Sequence, residues 1–126
     1  ALASQISSLA QAIINDTSTA RAAYRDAGNA SQFYTGSGID YVDLKDFVTK
    51  LPVYTANSTV TALASQINQS LELGNSIISR TYCGDNVDQS RGISIYFPYF
   101  SYDQYYNYNN FAQDTMWDEM LIYLGL

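Results

Sequence analysis

A chain of 126 residues with six basic and twelve acidic side chains, a net charge of −6 and no histidine has no clustered lysine and arginine to neutralise a phosphate backbone, which excludes general nucleic-acid binding. Hydrophobic residues make up 47% and charged residues only 14%, a balance that excludes intrinsic disorder and points to one domain over residues 1–126 with a core that needs no disulfide or metal. No apolar run approaches the roughly 20 residues of a membrane-spanning helix, and the single Cys83 has no internal disulfide partner.

In chain order, Leu2, Ile6, Leu9 and Ile13 fall at helical spacing and predict an amphipathic helix ending near Asn15. Capping side chains between Asp16 and Thr19 then open a second helix through Ala20–Arg25, with Gly28 and Asn29 as its stop signals. Residues 28–40 read as loop, with Gly36-Ser37-Gly38 as a flexible turn. Asp40 or Asp43 caps a third helix whose Leu44, Phe47, Val48 and Leu51 face inward and which Pro52 ends. Asn57, Ser58 or Thr59 begins the longest periodic segment, with Val60, Leu63, Ala64, Ile67, Leu71, Gly74, Ile77 and Ile78 along one stripe. Gly74 marks a close approach by a neighbouring element.

Residues 82–91 read as loop. The charge-free run Gly92–Phe97, closed by Pro98, is then a strand. Buried on both faces, it needs a partner strand, and no second strand of comparable strength stands out. Its partner is therefore expected in a sheet outside this segment or in a second copy, which would make the isolated fragment a homo-oligomer through the strand edge. A Tyr- and Asn-rich stretch follows Pro98. The final helix is capped by Asp114 and buries Trp117, Met120, Leu121 and Leu124. The expected fold class is mainly α, four to five helices packed as a bundle with one strand at about 92–97.

Gly92–Pro98 and the segment carrying Phe111, Ala112, Thr115 and Trp117 together resemble the end of clostripain-like cysteine peptidases, which show a Gly-Leu-Ser-Ile-Tyr-Phe-Pro type strand followed by a Phe-Ala, Thr and Trp helix. Upstream the order is similar: a helix bearing Arg21, then Asp43-Leu44 and Phe47, then a long helix. The resemblance covers residues 40–124 and, more loosely, the first 40. Family members are endopeptidases with a caspase-like α/β core and a His/Cys dyad that cleave after arginine or lysine. Neither dyad motif occurs here. The resemblance thus implies a non-catalytic region downstream of the catalytic core, inactive alone, completing the fold and walling the substrate cleft. Its partners would be that upstream core and, through the parent enzyme, a protein substrate.

No catalytic, cofactor-binding or metal-binding residue is assigned. Cys83 has no histidine to draw off its proton. Asp40, Asp43 and Asp46 recur every three residues and could attract calcium, but they also suit a helix N-terminus, and the loop lacks the glycine and distal glutamate of an EF-hand. Adjacent carboxylates such as Asp118 and Glu119 are expected to point in different directions. The candidates for partner or ligand contact are Tyr99, Tyr102, Tyr105, Tyr106 and Tyr108, since tyrosine joins apolar area to a polar tip. They either seal a boundary beside the strand or, in the alternative reading, make the chain an independent Tyr-rich carbohydrate- or protein-binding module. Low lysine content, neutral polar residues and sequons at Asn15, Asn29, Asn57 and Asn68 suggest an extracellular or cell-envelope setting. The start at Ala1 suggests a processed product or a piece of a longer polypeptide.

Overall fold

The computed structural model describes residues 2–31, 33–36, 39–73, 94–98, 106 and 110–126. The protein is mainly helical, with helices α1 (Leu2–Asn15), α2 (Arg21–Asn29), α3 (Leu44–Tyr54), α4 (Ser58–Leu73), α5 (Asn110–Asp114) and α6 (Trp117–Tyr123). Strands β1 (Phe33–Gly36), β2 (Ile39–Asp43) and β3 (Ser94–Tyr96) form an antiparallel sheet in the order β1-β2-β3. No helix of the described residues is long and apolar enough to cross a membrane.

The sheet corrects two expectations. The strand at 94–96 has its partner in this chain, with Tyr41 opposite Tyr96, Val42 opposite Ile95 and Asp43 opposite Ser94. Residues 33–36, 39 and 40, expected as loop, and 41–43, expected to open the third helix, are strands, with Gly36 opposite Ile39 and Phe33 opposite Val42. Strands this short do not hold alone; β2 persists because it is paired along both edges. Burial on both faces does hold for β3, since Ile95 and Tyr96 point to opposite sides of the sheet and are both buried.

The helices follow the predicted stripes, with three shifts at their ends. Ile6, Leu9 and Ile13 of α1 are buried, as are Leu44, Phe47, Val48 and Leu51 of α3 and Val60, Ala64, Ile67 and Leu71 of α4. Gly74, Ile77, Ile78 and Cys83 lie outside the described residues. Asp43 caps α3 by accepting the Asp46 N–H at 3.0 Å, and Asn57 caps α4 by accepting the Val60 N–H at 3.0 Å. The N-cap of α2 is Ala20, without a capping side chain, because Asp16 is committed elsewhere. α2 ends at Asn29, at the expected Gly28-Asn29 stop, and Phe97 approaches the Gly28 backbone in its last turn. Pro52 sits inside the last turn of α3, which runs on to Tyr54. The final segment breaks in two: Asp114 ends α5, and the hydroxyl of Thr115 accepts the Trp117 N–H at 3.3 Å at the start of α6.

One apolar core joins these elements. α1 packs on α4 and α6, while α3 packs on α2, α4 and β2. At its centre the Phe47 ring lies 5.5 Å from Phe97 and 5.8 Å, edge-on, from Trp117. The Trp117 indole N–H donates to the Tyr96 carbonyl at 2.7 Å, fixing α6 to the strand. Behind α6, Gly125 takes a left-handed φ of +81°, and Leu126 N–H returns to the Leu121 carbonyl at 3.1 Å, a Schellman stop.

Candidate functional site

Register places Tyr41 and Tyr96 side by side on one face of the sheet, their rings 5.7 Å apart and edge-on. The Tyr106 ring also lies against Tyr96, 4.5 Å between centroids and tilted by 33°. Offset and edge-on arrangements are those that aromatic quadrupoles favour. The three rings, with Leu2, Ala3 and Ile6 of α1, Ser94 and Ile95 of β3, and Phe111 of α5, line a pocket of about 360 Å³. Of the five tyrosines named from sequence, Tyr106 lines this pocket; Tyr99, Tyr102, Tyr105 and Tyr108 lie outside the described residues. Tyr41, Tyr96 and the α1 residues were missed. The signal for Tyr41 was present in Phe33-Tyr34-Thr35 and Ile39-Asp40-Tyr41-Val42 flanking a Gly-Ser-Gly turn, a hairpin pattern.

A second cluster is polar and buried. The Asp16 carboxylate, just past the end of α1, accepts the Ser18 N–H at 2.8 Å, the Ser18 hydroxyl at 2.6 Å and the Tyr24 hydroxyl. Thr55, beyond α3, shares a 2.7 Å hydrogen bond with Thr19 and accepts the Asn57 N–H at 3.1 Å. Burial alone would raise the Asp16 pKa, but the hydrogen bonds from Ser18, Thr19 and Tyr24 outweigh it and hold the carboxyl well below the usual range. Tyr24 is pushed up to about 12, by burial first and then by its bond to the Asp16 carboxylate. The hydroxyls of Ser18 and Tyr24 both donate to the carboxylate. The cluster's work is to tie the ends of α1, α2 and α3 together.

The aspartates at α3 are likewise structural. Asp43 is the cap, and Asp46 pairs with Lys50 at 2.8 Å. Lys50 also donates to the Ala30 carbonyl at 2.8 Å. Among the described residues no group of three or more acidic or sulfur side chains is placed to hold a metal ion. Arg21 stacks its guanidinium 4.0 Å above the Tyr123 ring. Burial, followed by hydrogen bonding with Asp118, raises the Glu119 pKa. No protein-family model matches this chain, and no curated protein or solved structure is significantly similar to it.

Proposed function

We propose that residues 1–126 are a non-catalytic carboxy-terminal region of a clostripain-like cysteine endopeptidase, completing the fold beside an upstream catalytic core and walling its substrate cleft. What supports this reading is the convergence of the residues that carry the resemblance. Asp43 caps α3, Phe47 and Phe97 meet Trp117, and the Trp117 indole holds the Tyr96 carbonyl. Thr115 joins Phe111 to the start of α6 by donating to the Phe111 carbonyl at 2.7 Å. A pattern whose members are a cap, three core rings and their hydrogen bonds serves a scaffold. The absence of histidine leaves no side chain of the kind that usually generates a thiolate. Among the described residues β3 stands at the end of the strand order, so on this reading its outer edge faces the upstream catalytic core. Cleavage after arginine or lysine would belong to that core, in an extracellular or cell-envelope enzyme.

The test pairs amino-terminal sequencing of the intact source polypeptide with assays of that polypeptide and of residues 1–126 on arginyl and lysyl peptides. The expected result is an upstream histidine and an Asp-Ala-Cys segment, with hydrolysis by the intact polypeptide alone. Hydrolysis by residues 1–126, or a source polypeptide lacking that segment, overturns the proposal.

A further inference from the structure

The pocket beside β3 has a size and a chemistry that narrow its occupant. At about 360 Å³ it lies near the lower end of the ~300–1,000 Å³ usual for small-molecule sites, room for one or two fused rings. Its walls are ring surface from Tyr41, Tyr96, Tyr106 and Phe111 and aliphatic surface from Leu2 and Ile6. No charged side chain lines it among the described residues. A charged ligand would therefore lose its hydration without gaining a counter-charge. A sugar is disfavoured for a related reason: the polar side-chain groups among the described lining are hydroxyls of serine and tyrosine, too few for a ring that carries a hydroxyl on almost every carbon. A flat ring satisfies both limits, laying its faces on the tyrosines and offering one polar atom to a hydroxyl.

We propose that this pocket is a binding site for an uncharged small molecule built on a planar aromatic ring with at most one polar substituent, a class represented by indole. The site stands on the described walls and does not depend on the peptidase reading. The test is an amide-shift NMR titration of the whole 126-residue chain with indole, with indole-3-acetate and with methyl β-glucoside. Indole is expected to give saturable shifts clustered at Ala3, Tyr41, Ser94 and Ile95, with a Kd on the order of 1 mM for a ligand of this size. Indole-3-acetate should bind at least fivefold more weakly and the glucoside should leave the spectrum unchanged. Ala3 and Ser94 are exposed, so Ala3→Trp and Ser94→Phe crowd the pocket from its rim without disturbing the core, and each should weaken indole at least tenfold. Absence of saturable indole shifts, undiminished binding by both folded variants, or tighter binding of the acetate or the glucoside would overturn the proposal.

Discussion

Gly28 is buried on the face of α2 that meets Phe97, and a methyl group at its Cα would overlap the Phe97 ring. That ring is fully buried between Phe47 and Trp117 and has nowhere to retreat. Gly28→Ala is therefore expected to destabilise the protein by about 1–3 kcal/mol, the usual cost of overpacking, although alanine is the better helix former. Urea unfolding of Gly28→Ala, Phe97→Leu and the double variant checks the cause, because the smaller leucine side chain should relieve much of the alanine's cost and make the two changes non-additive. Asp16 makes the complementary prediction about charge. Its folded pKa lies below the unfolded value near 3.8, so the stability it contributes is present above about pH 4 and is lost as the pH falls through the folded value. Tyr24 works at the other end: its folded pKa of about 12 lies above the unfolded 10.0, so its contribution is complete below about pH 10 and is lost as the pH rises towards about 12. Asp16→Asn should cost about 1–3 kcal/mol at neutral pH and flatten the loss of stability on the acid side of about pH 4. An unchanged acid limb in urea titrations of that variant would show that other carboxylates govern it.

The elements divide by how far their formation depends on distant partners. α1, α3 and α4 were legible because period and cap are local: Ile6, Leu9 and Ile13, the Asp43 cap before Phe47, and the Asn57 cap before Val60 are each written within a few residues. β3 was legible from its β-branched and aromatic run. Its partner left only a weak local trace, the hairpin pattern across residues 33–42, because β2 carries Asp40 and Asp43 among its five residues; the pairing of β2 with β3 lies in no local window. The end of α2 was legible at Gly28-Asn29, but the close approach of Phe97 to Gly28, 69 positions away in the numbering, was not. The pocket inherits this limit: Tyr106 belongs to a visible tyrosine cluster, whereas Tyr41 reaches the site only through the β2–β3 register. The joint between α6 and β3 can be tested directly. Trp117→Phe removes the indole N–H from the Tyr96 carbonyl and leaves space in a fully buried site, for an expected loss of about 1–3 kcal/mol. Hydrogen exchange should quicken at Ile95 and Tyr96 before it quickens in α4, whose packing partners are α1 and α3.

At the scale of the molecule, the two ends of the chain hold each other. The Met116 N–H donates to the Ser7 hydroxyl at 3.1 Å, and α1 packs along α6. α2 grips the same helix from another side, Arg25 donating to the Leu124 carbonyl at 2.6 Å and Arg21 covering Tyr123. Trp117, Met120, Leu121 and Leu124 are each at most 1% exposed, and deleting a single buried side chain of this size costs about 2–5 kcal/mol. Removing all four costs about 8–20 kcal/mol, which matches or exceeds the roughly 5–15 kcal/mol that a domain has in total. Deleting residues 115–126 should therefore unfold α1 and the sheet as well as shortening the chain: the urea transition loses its cooperativity and the amide proton spectrum collapses to the narrow range of an unfolded chain. Arg21→Ala touches the same helix from an exposed position and removes only a surface cation–π contact, for about 0.5–1 kcal/mol. The contrast between the two variants separates a helix that completes the core from one that merely rests on it. A truncated chain that kept its spectrum and its transition would place α6 outside the folding unit.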